Sequence, residues 1–551
     1  MVLLRPLLNC LLAFTALTKG SPARNDKLEI QLSTGTFRGF SPAKSHIEQW
    51  FGIPFAEPPV GPLRFKAPIP IKGEPGVVKD ATQFGGACPQ MDAEGAGAPV
   101  SEDCLYMNVY RPSEASSHKK LPVLVWIHGG QWTTGAGSRY DPTEIVQRSV
   151  FNKKPIVFVS INYRLNTFGF LASAHQPPED LNAGLLDQRL ALEFIQDNIA
   201  AFGGDPDKVT IWGQSAGGGS VAAHFIYPSE KTLFRAGIGQ SATGPFKSSP
   251  PPSVYDKPGK SFDRLLSSTG CHESTAPVDC LRDVPFETLL NISNSMIDNT
   301  LNGQLWEPTI GPEGSMAMAT EQASSKVMRG DFLHLPYLGS TTLNEGTDFT
   351  ESLQNLNLTG QAQNSRLDDY IRALLIDGTT LTQDVLDEIH ELYKENDTSL
   401  GGPFNTGDPL FDRASAFYTD EMFLGPRRLF FQHGSDLQPM FAYHFTEFIP
   451  GNEIELGVTH ATDLHLLLGF RTAPEATPPP IEHDFANEMK DIWINFVNDL
   501  NPGENWPRFD NNAEKPVMQL QRGNSTLIPD DFDMERTDFV NTVRVLGEFQ
   551  K

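Results

Sequence analysis

Beyond its N-terminal segment this chain has no apolar run long enough to span a bilayer, so nothing in it reads as a membrane anchor. Basic charge is in short supply as well. Lys and Arg number 43 against 68 Asp and Glu, a formal net charge of −25 at pH 7. Nucleic acids and anionic membranes both require a basic face, so the balance argues against either as a partner. Cysteine is scarce: there are five in 551 residues, and no Cys-x-x-Cys spacing that would suggest a zinc site. Internal repeats and low-complexity tracts are missing. With 20% charged and 39% apolar residues, the composition is that of a folded soluble protein.

What is present begins with a secretory pattern. Arg5 supplies a positive start, an apolar run follows from Leu7 to Leu17, and Gly20, Ser21 and Ala23 are small. Residues 1–20 therefore read as a signal peptide, with cleavage expected between Thr18 and Arg24 and an extracellular mature chain from residue 24 to 551. Cys10 would leave with the signal. Cys88, Cys104, Cys271 and Cys280 remain; they allow three pairings, and local spacing favours Cys88–Cys104 and Cys271–Cys280 as short loops. Asn291, Asn357, Asn396 and Asn524 each open an Asn-x-Ser/Thr sequon, an acceptor for glycan on a secreted chain.

Short apolar runs read as buried strands: Val123–Ile127, Ile156–Ile161, Val209–Trp212, Pro336–Gly339 and Met440–His444. Helical patterns lie between them, as at Gln188–Ile199 and Phe485–Phe496. Strands alternating with helices predict an α/β fold with a mostly parallel sheet covered on both faces. The Pro-rich stretches Ser249–Pro252 and Pro474–Pro480 read as surface loops. The chemically suggestive residues are scattered from Gly129 to His460, so residues 24–551 are expected to form one domain that gathers them.

One stretch carries the most information: Phe202-Gly-Gly-Asp-Pro-Asp-Lys-Val-Thr-Ile-Trp-Gly-Gln-Ser215-Ala-Gly217. A polar turn leads into a strand, and the strand runs into a sharp bend that presents one serine. Such a bend leaves no room for side chains two positions before and after the serine, and Gly213 and Gly217 stand there. A bare G-x-S-x-G is weak, but this longer setting resembles the serine signature of the type-B carboxylesterase, lipase and cholinesterase family. Other segments resemble that family in the expected order. They are Phe51–Phe65, Ser101–Val109, Asn162–Leu165, Gly169–Leu171, Gly184–Gln188 and Trp493–Phe496, and the second of them supports the Cys88–Cys104 pairing.

The resemblance implies an α/β-hydrolase fold with a mostly parallel central sheet flanked by helices. It also implies a catalytic triad in the order serine, acid, histidine. A serine hydroxyl needs a base, and the base an orienting carboxylate. The Asn-Glu345-Gly turn and the Gly-Val-Thr-His460 loop are similar to the family's acid and base segments. Residue chemistry alone does not select them, since Asp348 competes for the acid role and His433 and His465 for the base. On the resemblance, Ser215 attacks, His460 carries the proton and Glu345 orients it, with Ser241 and Asp463 beside them. His-Gly129-Gly130-Gln131-Trp132 resembles the oxyanion segment, which implies backbone donors from Gly130, Gln131 and Ala216. The third position is commonly glycine in this family, and here it is Gln131.

Departures from the family narrow the ester. Fifteen residues separate Cys88 from Cys104 and none is aromatic, whereas cholinesterases carry a cation-binding tryptophan in this loop. The segment Asn302–Trp306 has one aromatic where cholinesterases place several, so a choline ester is not expected. So short a loop also disfavours a large amphipathic lid and favours an esterase over an interfacially activated lipase. Trp132, Phe246 and Trp306 are the aromatics expected to line an aryl or acyl pocket, which would suit feruloyl-type esters. The competing readings are a lipase or sterol esterase acting on lipid esters, a peptidase using the same triad, and an adhesion homologue that has lost the chemistry. Small-molecule or lipid esters are the expected partners, no metal or organic cofactor is implied, and the oligomeric state, monomer or weak dimer, is not legible.

Overall fold

The computed structural model describes residues 28–551 except 92, 116–117, 246, 403–405, 472–477 and 512–513. The signal segment and Phe246 therefore lie outside the described residues.

Ten strands form the main sheet among the described residues: β1 (Ile47–Pro54), β2 (Tyr106–Pro112), β3 (Leu121–Ile127), β4 (Val157–Ile161), β5 (Gly204–Gln214), β6 (Ala236–Gln240), β7 (Tyr337–Thr342), β8 (Met440–Phe445), β9 (Pro516–Leu520) and β10 (Thr526–Pro529). Their spatial order is β10-β9-β8-β7-β6-β5-β3-β4-β2-β1. Every neighbouring pair from β4 across to β9 is parallel. The antiparallel pairings are confined to the two margins, β9–β10 and β1–β2–β4. A second, three-stranded sheet holds Glu29–Leu32, Gly35–Arg38 and Val78–Asp80.

Alternation along each central strand feeds two separate cores. Val123, Val125, Ile127, Val157, Val159, Val209 and Ile211 face one side, where they pack with Leu190, Val221 and Ala222 of helices Ala183–Asn198 and Ala216–Ile226. Leu124, Trp126, Phe158, Trp212, Ile238 and Phe441 face the other, against Ile145 of Thr143–Phe151 and Met489, Trp493 and Phe496 of His483–Asp499. On this second face Trp126 and Trp212 meet edge to face at 4.5 Å, and Trp212 meets Trp493 at 5.8 Å. A side chain on either face is buried, which is why the strand sequences are almost continuously apolar.

A third core is helical. Leu367, Tyr370 and Ile371 of Gly360–Ala373 join Val385 and Ile389 of Gln383–Leu392 and Ala414 and Phe417 of Pro409–Thr419. The chain then passes through a π-helical turn, Asp420–Leu424, into helix Gly425–Gly434.

Several motif blocks prove to hold one another. Arg64, in the first block, forks onto both carboxylate oxygens of Glu102, at 2.6 and 2.7 Å. Arg164 does the same to Asp187 at 2.8 and 2.6 Å, and that pair is almost fully buried. Removing one partner of such a pair leaves an uncompensated buried charge, a cost of about 3–5 kcal/mol. The structure joins Cys88 to Cys104 and Cys271 to Cys280. Asn291, Asn357, Asn396 and Asn524 are all exposed. No helix among the described residues is long and apolar enough to cross a membrane.

Candidate active site

A parallel sheet brings the carboxyl ends of its strands to one edge, and loops leaving those ends meet there. Ser215 follows β5, the Glu345 turn follows β7, the glycine-rich segment follows β3, and the His460 loop follows β8.

Ser215 occupies the bend between β5 and helix Ala216–Ile226 with φ 57° and ψ −130°. A positive φ at a non-glycine residue is strained and needs support from its surroundings. Its N–H donates to Gln240 O at 2.9 Å, across the β5–β6 pairing. The flanking glycines are steric necessities. A Cβ on Gly213 would fall 2.2 Å from Gly217 backbone, and one on Gly217 would fall 2.0 Å from Ile127 O. Among the described residues the Ser215 hydroxyl has no hydrogen-bond partner. Ala216 is the first residue of the helix, so its N–H has no acceptor within that helix.

The segment after β3 presses against this bend: a Cβ on Gly129 would lie 3.0 Å from Ser215 Cβ. Gly130, Gln131 and Trp132 follow one another at φ 104°, 59° and 57°. Gly130 O accepts from the Thr133 and Thr134 N–H groups, both at 2.9 Å, which closes the turn. His128 clamps it from beneath. Its Nδ1 donates to Gly129 O at 2.9 Å, its ring stacks on Tyr163 at 4.4 Å, and the Tyr163 hydroxyl donates to His128 O at 2.7 Å. Burial pushes the His128 imidazole down to about 4, so it is neutral at physiological pH. The Cys88–Cys104 loop braces the far side. Gln90 Nε2 donates to Gly135 O at 2.9 Å, Gly135 N–H donates back to Gln90 Oε1 at 2.8 Å, and Ala96 O accepts from Ser138 Oγ at 2.6 Å.

Glu345 is fully buried. Oε1 accepts from the Thr342 N–H at 2.7 Å, and Oε2 accepts from His460 Nδ1 at 2.6 Å. Two hydrogen bonds stitch the acid and base loops together: Asn344 N–H donates to Val458 O, and Val458 N–H donates to Asn344 Oδ1, both at 3.0 Å. Phe349 and Phe423, from the helical core, pack on the His460 ring at 5.1 and 4.9 Å. His460 Nε2 lies 3.2 Å from Gln214 Nε2, on the residue preceding Ser215. The rival acid and one rival base are nearby: Asp348 and His465 line the same surface cavity as His460. His433 sits in helix Gly425–Gly434.

Asp463 is buried beside this group and accepts from Gln240 Nε2 at 2.8 Å and the Tyr443 hydroxyl at 2.6 Å. Burial raises its carboxyl, and the two donors oppose that rise. Gln240 O also takes the Ser215 N–H, so Gln240 bridges Asp463 and the serine bend. Ser241 is buried at φ 50° and its hydroxyl is unpartnered.

The aromatic expectations divide. Trp132 is buried, donates from Nε1 to Ser220 Oγ at 3.0 Å, and lines a narrow apolar cavity with Leu185, Gly219, Ile226 and Ile310. Trp306 instead belongs to the core. It stacks on Tyr255 at 5.4 Å and donates to Thr167 Oγ1 at 2.9 Å, so a pocket-lining role does not fit it. Gln131 turns its side chain toward the Leu301–Gly303 turn, where its Oε1 is 3.3 Å from the position of a Cβ on Gly303. Gln214, Asn344, His128 and Gln90 were not singled out by sequence. His128, Gln214 and Asn344, adjacent to Gly129, Ser215 and Glu345, stood close enough to a motif to be found; Gln90 did not.

Among the described residues no group of three or more His, Cys, Asp or Glu could hold a metal ion. A family model described as "Carboxylesterase family" matches residues 26–540. The chain is 32% identical over 543 residues to Secreted lipase 1 of Botryotinia fuckeliana, covering 90% of each. It is 30% identical over 491 residues to the para-nitrobenzyl esterase of Bacillus subtilis, covering 86% of this chain and 91% of that one. The crystal structure of Aspergillus niger EstA superposes with a TM-score of 0.78 at 25% identity, covering 95% of this chain and 99% of the other.

Proposed function

The chain belongs to the carboxylesterase family and is a carboxylic ester hydrolase, and from that premise we propose that it works through an acyl-enzyme on Ser215. The observation that carries this reading is the 2.6 Å bond between His460 Nδ1 and buried Glu345, held beside the strained serine bend. With Nδ1–H committed to the carboxylate, Nε2 carries a lone pair and is the basic atom. Ser215 Oγ attacks the ester carbonyl carbon as its proton passes to Nε2. The carbonyl oxygen becomes an oxyanion facing the N–H groups of Gly130, Gln131 and Ala216. Collapse expels the alcohol, which takes the proton from Nε2. Water then repeats the sequence on the acyl group and releases the acid. Asp463 supports the bend from behind through Gln240, which takes the Ser215 N–H.

The reading extends to a secreted carboxylesterase with a restricted acyl site. The loop that would supply a lid is tied by Gln90 and Ala96 to the turn beneath the oxyanion segment. A narrow cavity of about 50 Å³ lies beside Trp132, the residue after Gln131, and neither Ser215 nor His460 lines it. Phe349, Tyr418 and Phe423 back the His460 ring from within the helical core, and acceptance of aryl esters of the feruloyl type is left for methyl ferulate to test. Two disulfides and a relative named as a secreted lipase support export, and the four exposed sequons would then carry glycan. That relative's name keeps lipase action as the second reading.

Initial rates on tributyrin, emulsified triolein and methyl ferulate, with Ser215→Ala as control, test both. Tributyrin and ferulate turnover that vanishes in the variant is expected. An active Ser215→Ala enzyme would overturn the acyl-enzyme, and faster triolein than tributyrin cleavage would establish the lipase.

A further inference from the structure

The Nε2 atom of His460 is already engaged in this structure, and its partner is Gln214 rather than the serine hydroxyl. Gln214 is buried, and its Nε2 stands 3.2 Å from His460 Nε2. Its amide oxygen points the other way, against Gly129: a Cβ there would fall 3.1 Å from Gln214 Oε1 and 2.5 Å from Gln214 O. The side chain thus lies between the oxyanion segment and the base, and it is the Gln214 carbonyl that leaves no room for a Cβ at position 129.

A donor against a donor is repulsive, so this placement has chemical content. With Nδ1–H given to Glu345, the Gln214 NH2 can donate only into an Nε2 lone pair. If Nε2 carries a proton, two N–H groups confront each other at 3.2 Å. We propose that Gln214 is a positioning residue for the base: its neutral amide selects the tautomer with a free Nε2 lone pair and opposes protonation of the resting imidazole, and substrate entry releases Nε2 to the Ser215 hydroxyl. This inference rests on the reading of Ser215, Glu345 and His460 as a triad.

The charges facing His460 make such a neutral neighbour consequential. Glu345 abuts Nδ1, Asp348 comes from the turn Thr347–Phe349, Glu453 and His465 line the adjoining cavity, and Asp463 lies on the histidine's own loop. All but His465 are acidic. Gln214 is the neutral hydrogen-bonding contact on the reactive side, while Phe349 and Phe423 add apolar surface.

The test uses two variants and two readouts. Gln214→Glu puts a carboxylate against Nε2, and Gln214→Met keeps the length but removes the donor. The pH dependence of kcat/KM for p-nitrophenyl butyrate is measured beside that of inactivation by diethyl p-nitrophenyl phosphate, with Ser215 labelling read by mass spectrometry. In Gln214→Glu the acid limb of both profiles should move up by about one to three pH units, the shift an opposite charge at contact produces. Gln214→Met should move it up by less, and its alkaline plateau should stay within about tenfold of wild type. A lower plateau with the acid limb unmoved in both variants would mean that Gln214 is merely structural and would overturn the proposal. If the parent enzyme is inactivated without a label on Ser215, the triad reading fails and this inference falls with it. A labelled Ser215 with unmoved limbs defeats the Gln214 inference alone.

Discussion

Exchanging Glu345 for glutamine keeps the side-chain shape and takes away one acceptor, which isolates what the carboxylate does. Two donors depend on it: the Thr342 N–H at 2.7 Å and His460 Nδ1 at 2.6 Å. A glutamine offers one oxygen for the pair. The Thr342 N–H belongs to the end of β7 and cannot turn away, so the amide oxygen goes there and the NH2 faces Nδ1. The imidazole then presents its Nδ1 lone pair to that donor and carries its proton on Nε2. A protonated Nε2 cannot accept from Ser215, and the charge that stabilises the imidazolium is also gone. A wrong-tautomer exchange of this kind costs a factor on the order of 10⁴ in kcat in serine hydrolases, about 5 kcal/mol of barrier. KM should hardly change, because no substrate contact is touched. Steady-state kinetics on p-nitrophenyl butyrate between pH 7 and 9, with a thermal melt to confirm folding, reads this directly. A folded Glu345→Gln enzyme retaining more than a tenth of wild-type kcat would refute the assignment of the acid.

Gln131→Gly should leave the rate on short acyl esters within a few-fold of wild type, because the backbone N–H survives and glycine accepts φ 59° without strain. Removing the side chain beside Gly303 should raise kcat/KM for bulkier acyl groups, and a loss on every ester in an acyl-length series would contradict this. Acid should loosen the fold through buried histidines. His128, His224 and His444 are pushed down by burial to about 4, 3 and 4 from an ordinary value of 6.5. Their neutral forms are favoured only in the native state, so the associated stability is complete above pH 6.5 and declines as pH falls toward 4 and 3. Each should cost about 1.4 kcal/mol per pH unit in that window. Urea midpoints at pH 7, 6 and 5 check the slope, and His224→Gln should flatten it; an unchanged slope would remove that histidine from the account.

Local chemistry made part of this molecule readable from sequence. The central strands were visible because burial on both faces demands unbroken apolar runs, as in Val157–Ile161. The margins were not, since Thr526–Pro529 is largely exposed and lacks that signature. The helical core between Phe349 and Phe423 escaped as well, because its apolar residues are spread among many polar ones, as in Gly360–Ala373. Within the site, residues beside a tight bend could be named, because the bend itself dictates glycine. Supports acting at long range could not: Asn344 meets Val458 114 positions away, and Gln90 meets Gly135 at a separation of 45. Trp306 marks another limit, since an indole reads the same whether it walls a pocket or fills a core.

The three indoles of Trp126, Trp212 and Trp493 stand close enough to share their electronic excitation. Trp212 ends three residues before Ser215, and its N–H is fixed to Gln240 at 2.5 Å, the residue that also holds the serine bend. The enzyme therefore carries an optical reporter wired to the strand that leads into Ser215. A coupled near-ultraviolet circular-dichroism band from this cluster would register any slackening of that strand without an added dye, and it could be followed in the same cuvette as turnover.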